Sequence, residues 1–162
     1  MIFFTFVGWS ESGKTTLISA LTHRLREQGR RVVVLKHAPH GIDLQPEGKD
    51  SRRFLEAGAQ RVIVLADRET MTLLPPLTAP THTQLAALAL DAEFLLLEGL
   101  VIDDVPALEV HRPALGQGLR YPPKKLAAVV CDEPLDLPLP RFAHCDLEGI
   151  IRFMEETQWN QP

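Results

Sequence analysis

An α/β fold, a mainly parallel sheet flanked by helices, is predicted by three features of this 162-residue chain. The opening run Ile2-Phe3-Phe4-Thr5-Phe6-Val7 is apolar, β-branched and aromatic, as a strand buried on both faces should be. A glycine-rich loop follows it, and then Leu17, Leu21 and Leu25 recur every four residues, with Ile18 and Ala20 beside them, as the core face of a helix. Downstream, strand-like and helix-like segments keep alternating, which implies parallel strands with a ligand site at their C-terminal ends.

Each element has a local reason. The first helix spans about Thr15 to Gln28 and stops at Gly29, a natural residue just past a helix end. Arg31 to Lys36 reads as the second strand, and His37 to Gly48, rich in Pro, Gly and His, as a long loop. A short helix from about Lys49 to Ala57 closes at Gly58. Arg61 to Ala66 is the third strand and Thr70 to Leu74 a candidate fourth, before Pro75, Pro76 and Pro80 break the chain. Thr81 can cap a helix reaching about Leu90. Glu93 to Glu98 is a buried strand ending in acid, and Ala107 to Val110 another. After the Gly/Pro loop from Pro113 to Pro123, Lys125 to Val130 forms the last core strand. The Pro-rich connector Pro134 to Pro140 leads to a helix capped by Asp146 and packed by Ile150, Ile151 and Met154. The tail from Thr157 to Pro162 is expected to fray. No repeat or domain linker is evident, so a single domain over 1–162 is expected.

Composition narrows the function classes. Apolar residues make up 45% of the chain and mean hydropathy is near zero, as in soluble globular proteins. A net charge of −4, with the basic pairs Arg30-Arg31, Arg52-Arg53 and Lys124-Lys125 scattered among acids, argues against nucleic-acid binding. There is no apolar stretch long enough to span a membrane and no signal peptide, so the expected compartment is the cytoplasm. Cys131 and Cys145 lie too far apart for a CxxC pair and read as two buried thiols.

The loop itself carries the chemistry. Gly8-Trp9-Ser10-Glu11-Ser12-Gly13-Lys14-Thr15 matches G-x-x-x-x-G-K-[ST], the phosphate-binding loop of nucleoside triphosphatases, between a strand and a helix as that motif requires. Gly8 and Gly13 permit a close backbone approach, and the amides from Ser10 through Ser12 to Thr15 can curl around an anion at the positive end of the helix dipole. Lys14 is placed to reach the β- and γ-phosphate oxygens, Thr15 to ligate Mg²⁺, and Thr16 to touch the α-phosphate. Glu11, a carboxylate within the loop, is expected to face solvent. A plain glycine turn capping a helix would leave Lys14 unexplained.

Mg²⁺-dependent phosphoryl chemistry also needs an acid at the end of a second buried strand. Leu95-Leu96-Leu97-Glu98-Gly99 supplies Glu98 there, against the plainer reading of a solvated loop carboxylate. Asp43, in the loop after the second strand, is a further candidate for the Mg²⁺ shell or for orienting the attacking water. His37 and His40 have a metal-like spacing, but no second pair completes a zinc site. Gly48-Lys49-Asp50-Ser51 reads equally as a second anion site at a helix start or as an ordinary cap. Arg52 and Arg53 read as a solvated helix face. Base choice is weakly encoded, since N-K-x-D is absent; Asp132, after Val130-Cys131, is a carboxylate able to accept from guanine N1 and N2, or simply a loop residue.

Several motifs now stand in one order: Gly8-x-Ser10-x-Ser12-Gly13-Lys14-Thr15-Thr16-Leu17, Lys36-His37-x-x-His40, Gly48-Lys49-Asp50-Ser51-x-Arg53, Ala57-Gly58-Ala59, Leu97-Glu98-Gly99 and Glu109-Val110-His111-Arg112. From Ile2 to Asp132, and more weakly in the last helix, the chain resembles the molybdopterin-guanine dinucleotide biosynthesis adaptor family, the small partner of the molybdenum cofactor guanylyltransferase. The resemblance implies a P-loop NTPase-like fold, a homodimer, GTP binding with weak Mg²⁺-dependent hydrolysis, and help in attaching GMP to molybdopterin. The chain departs from the family pattern in two places: Gln45 stands for a second Asp, and Leu100-Val101 for an aromatic-Lys pair. Two other functions compete on the residues alone. A small-molecule kinase would need an Arg-rich lid, and a nickel-chaperone GTPase a His-rich tract; the chain has neither.

Overall fold

Strands that are apolar on every face need neighbours on every side, and the chain meets that need with a six-stranded sheet whose pairings are all parallel. The computed structural model describes residues 1–38, 41, 46–77 and 79–157, with backbone alone for 46–50. In chain order these form β1 (Ile2–Val7), α1 (Lys14–Glu27), β2 (Val32–Lys36), α2 (Pro46–Glu56), β3 (Val62–Leu65), β4 (Thr70–Leu73) and α3 (His82–Ala89). Next come β5 (Phe94–Glu98), β6 (Ala107–Val110), β7 (Ala128–Val130), β8 (Arg141–Phe142) and α4 (Leu147–Glu156). The backbone gathers into two units, one of residues 1–37 and 81–162, the other of residues 38–80.

In the larger unit the strand order is β2-β5-β1-β6-β7-β8. Alternation along the central strands divides the core. Phe4 and Phe6 of β1, with Phe94 and Leu96 of β5, face Leu17, Ile18, Leu21 and Leu25 of α1 and Ile150, Ile151 and Met154 of α4. Phe3, Leu95 and Leu97 point the other way, onto Leu85 and Ala89 of α3. A third cluster, Val7, Ala107, Leu126, Val129 and Cys131, closes under the β6–β7 connection. Every residue of β5 is buried, which is why its sequence shows no polar alternation before Glu98.

Helix ends follow their local chemistry. Gly29 takes φ 76° just beyond α1, and its N–H donates to the Arg26 carbonyl. Thr81 caps α3 in a reciprocal capping box with Gln84. Asp146 caps α4 by accepting from the Gly149 N–H at 3.0 Å. Arg24, on α1, pairs with Glu148, and Arg30 links Glu93 at 2.9 Å to Glu155 at 2.8 Å, which ties α4 to the sheet's lower edge.

Five expectations need correction. The third strand does not extend the parallel sheet: β3 and β4 pair antiparallel in the smaller unit, Val62 opposite Leu73. Only a few residues join them, and so short a link can join only antiparallel neighbours. The strand drawn from Lys125 starts at Ala128, because Pro122 and Pro123 set a 3₁₀ turn over Pro123–Lys125. Arg141–Phe142, inside what read as connector, pairs with β7 as an edge strand. Cys145 is exposed, in the turn that enters α4, whereas Cys131 is buried and burial pushes its thiol pKa up. The helix of the smaller unit starts at Pro46, not near Lys49, so residues 48–51 lie within α2. The tail beyond Thr157 lies outside the described residues.

Leu21 is fully buried between α1 and the sheet. Replacing it with Ala should lower unfolding free energy by about 2–5 kcal/mol in urea denaturation, through lost burial and the cavity left behind.

Candidate functional site

Parallel pairing places the C-terminal ends of β1, β5, β2, β6 and β7 at one edge of the sheet. Phe6 of β1 lies opposite Glu98, and Lys36 of β2 opposite the same Glu98. The glycine loop leaves β1 at that edge and enters α1. Gly8 has φ 136°, and a Cβ there would lie 2.3 Å from the Val110 carbonyl oxygen, so only glycine lets the loop pass over β6. Gly13 has φ 99° and begins α1 with no side-chain cap, which leaves the first-turn amides open. Glu11 also takes a positive φ, 63°, and its exposed side chain faces solvent as expected.

The loop's polar groups converge. Lys14 folds back so that its Nζ donates to the Trp9 carbonyl at 2.6 Å and the Gly8 carbonyl at 3.2 Å. Burial pushes the Lys14 pKa below its ordinary value; the Glu98 carboxylate opposes this and the Arg120 guanidinium adds to it. The Thr15 hydroxyl donates to Glu98 Oε1 at 2.6 Å, and Lys36 Nζ lies 3.7 Å from Glu98 Oε2. The Ser12 hydroxyl is buried without a hydrogen-bond partner among the described residues.

A cavity of about 590 Å³ opens over this arrangement, lined by Ser10, Glu11, Gly13 through Thr16, Lys36, Glu98, Arg112, Asp132 and His144. The structure thus brings together Gly8, Ser10, Glu11, Ser12, Gly13, Lys14, Thr15, Thr16, Glu98 and Asp132. Asp43 and His40 lie outside the described residues. Asp132 follows β7 at the far side of the cavity. Its carboxylate accepts from the His144 backbone N–H at 2.8 Å, with His144 Nδ1 at 3.2 Å. That backbone N–H, and then the ring beside it, hold the Asp132 pKa below the usual carboxylate range.

Four residues at this edge had no assigned site role in the sequence. Lys36 and Arg112 stand at strand ends, and the rule that found Glu98 applies to them equally. His144 had no local signal, because it reaches the cavity only through the short strand β8. Glu109 is fully buried near the end of β6, and its two oxygens accept the backbone N–H groups of Arg120 at 2.6 Å and Tyr121 at 3.0 Å. It pins the 113–123 loop beside the glycine loop, where Trp9 Nε1 donates to the Gly118 carbonyl at 2.8 Å.

Among the described residues, no group of three or more His, Cys, Asp or Glu is arranged to hold a metal. The oxygen donors that meet beside Lys14 are the Thr15 hydroxyl and the Glu98 carboxylate. They fit a hard cation that shares its shell with phosphate and water, as Mg²⁺ does, and not a zinc cage.

Gly8→Ala should cost more than about 2 kcal/mol of stability, since the clash is with backbone and the φ is unfavourable. Chemical denaturation checks this; an unchanged midpoint would contradict the close approach to Val110.

Comparison with known proteins agrees with this architecture. The family model described as molybdopterin guanine dinucleotide synthesis protein B matches residues 3–132. The molybdopterin-guanine dinucleotide biosynthesis adapter protein of Haemophilus influenzae is 33% identical over 133 residues, 80% of this chain and 74% of that protein. The Escherichia coli (strain K12) protein of the same name is 30% identical over 166 residues, 96% of this chain and 93% of that one. The crystal structure of Bacillus subtilis MobB superposes with a TM-score of 0.69 at 26% identity, covering 94% of this chain and 98% of that one. Among the described residues, no helix is long and apolar enough to cross a membrane. With the matched region running through the glycine loop, Glu98 and Asp132, this chain belongs to the MobB family of molybdopterin-guanine dinucleotide biosynthesis proteins.

Proposed function

We propose that this protein is a cytoplasmic GTP-binding adaptor that assists attachment of GMP to molybdopterin, with weak Mg²⁺-dependent GTP hydrolysis. The observation that carries the reading is the Thr15–Glu98 hydrogen bond beside Lys14, at the uncapped start of α1. A hydroxyl, a carboxylate and an ammonium converge there on one cavity, the combination that a metal-bound triphosphate needs. Family membership supports the pathway, since the relatives carry molybdopterin-guanine dinucleotide biosynthesis in their names.

In this reading the open amides from Ser10 to Thr16 and the Lys14 ammonium bind the phosphates. Thr15 and Glu98 hold Mg²⁺, directly or through water, with Asp43 as a further candidate. Bound there, Mg²⁺ would neutralise charge on the β- and γ-phosphate oxygens. Asp132 would accept from guanine N1 and N2, with His144 fixing the carboxylate. Molybdopterin or the molybdenum cofactor and the guanylyltransferase are the proposed partners. A homodimer is the proposed assembly, and Phe54, Ile63 and Leu65 of the smaller unit, 61%, 57% and 78% exposed, are apolar surface it could cover.

Calorimetric titration of GTP and ATP with Mg²⁺, then with molybdopterin and the guanylyltransferase added, tests the assignment. Preference for ATP, or transfer of the γ-phosphoryl to a small acceptor, would favour a kinase. Lys14→Ala should leave a folded protein whose GTP affinity falls at least about a hundredfold, because charged hydrogen bonds worth about 1.5–3 kcal/mol each are lost together. Unaltered affinity in the folded variant would refute the site.

Wild-type hydrolysis should run at about 10⁻⁴ to 10⁻² per second, the range of P-loop GTPases acting without a partner. Glu98→Gln should retain GTP binding while weakening metal dependence and turnover, since an amide oxygen is an uncharged ligand for a hard cation. Glu93→Gln is the control, because Glu93 serves Arg30 and Arg31 at the opposite end of β5. Unchanged Mg²⁺ titration and turnover in Glu98→Gln would remove Glu98 from the metal site.

A further inference from the structure

The proposed GTPase site accounts for Lys14 but not for a second cation beside it. Arg120 Nη1 donates to the Gly8 carbonyl at 3.2 Å, the same oxygen that Lys14 Nζ approaches at 3.2 Å. Two cations sharing one acceptor repel each other, and that repulsion contributes to the lowered Lys14 pKa. Among the described residues no carboxylate forms an ion pair with the guanidinium; buried Glu109 instead accepts the Arg120 and Tyr121 backbone N–H groups and so fixes where Arg120 leaves the chain. Stacking does the rest: the guanidinium carbon lies 5.4 Å from the Trp9 ring centroid and 5.9 Å from that of Tyr121. Among the described residues, Gly8 accepts the guanidinium's one hydrogen bond, so its other N–H groups remain available.

Position along the loop says which phosphate this cation meets. Thr16, one residue into α1, takes the α side, while Thr15 sits with Glu98 and the metal at the β–γ side. Lys14 spans β and γ, and Arg120 shares the Gly8 carbonyl with Lys14, which sets its guanidinium toward the Lys14 side of the loop rather than the α side. We propose that Arg120 is a catalytic residue supplied by this chain itself, donating to the γ-phosphoryl oxygens as charge develops there during GTP hydrolysis. In that step a water oxygen bonds to the γ-phosphorus while the bond to the β–γ bridging oxygen breaks. The bridging oxygen keeps the electron pair on GDP, and both of the water's protons leave with the inorganic phosphate, as dihydrogen phosphate. Arg120 takes no proton. This inference rests on the GTP reading above, and it agrees with slow turnover, since an arginine supplied in cis still leaves GTPases near 10⁻² per second.

The test compares a ligand without the γ group to one that mimics its transition state, in Arg120→Ala and Arg120→Lys. Binding of GDP and of GDP with fluoroaluminate, both with Mg²⁺, is measured by calorimetry, alongside single-turnover hydrolysis and a thermal midpoint. Arg120→Ala should keep GDP affinity within about twofold while fluoroaluminate-dependent tightening and hydrolysis fall at least about a hundredfold. Arg120→Lys should recover only part, lacking the planar fork. Equal weakening of both ligands would make Arg120 a structural clamp on Gly8 and Trp9 and overturn the proposal. So would an unchanged response to fluoroaluminate. Wild-type protein that binds neither GDP nor GTP would overturn the GTP reading itself, an outcome visible before any variant is made.

Discussion

The passage of the glycine loop over β6 is the contact on which the site depends. Gly8 lies so close to the Val110 carbonyl that no side chain fits between them. Because the loop is pressed onto the sheet there, its amides turn upward at the start of α1 and the Lys14 side chain folds back onto the loop's own carbonyls. A looser crossing would move α1 away from β5, and Thr15 could not reach Glu98. One missing methyl group therefore sets the spacing between the helix that offers amides and the strand that offers acid.

Energetically, the edge of the sheet is the reverse of its interior. The core buries phenylalanines and leucines on both faces of β1 and β5 with little polar compromise. At the strand ends the buried groups are charged or polar: Glu98, Glu109, His111 and Ser12. Glu109 is satisfied by two backbone amides, a local arrangement that stabilises a carboxylate without a counter-ion. Glu98 instead gathers a hydroxyl and a lysine. The Ser12 hydroxyl has no partner among the described residues, and Lys14 is held on neutral carbonyls.

The two halves of the cavity rim are built differently. On one side the central strands β1 and β5 deliver the glycine loop and Glu98 directly from the core, with Lys36 added from the edge strand β2. On the other, β7 and the short β8 bring Asp132 against His144 through a two-residue pairing. The first side carries the groups that suit phosphate and metal; the second carries those that suit a base.

Local sequence was enough to place the glycine loop, its flanking strand and helix, Glu98 at the tip of β5, and the caps at Thr81 and Asp146. Each of these depends on neighbours within a few residues: a φ only glycine tolerates, an apolar run, a hydroxyl three residues before its partner amide. What local pattern could not decide was pairing. Arg61 to Leu74 reads as strands, yet nothing in a strand's own residues says which sheet it joins, and the short link between β3 and β4 made them a separate hairpin. Arg141–Phe142 is too short to show any period, and becomes a strand only because β7 offers it an edge. Glu109 and Arg120 are eleven residues apart, and Arg120 and Gly8 are 112 apart. Their meeting depends on β6 lying next to β1, a consequence of long-range burial that no short window of sequence contains.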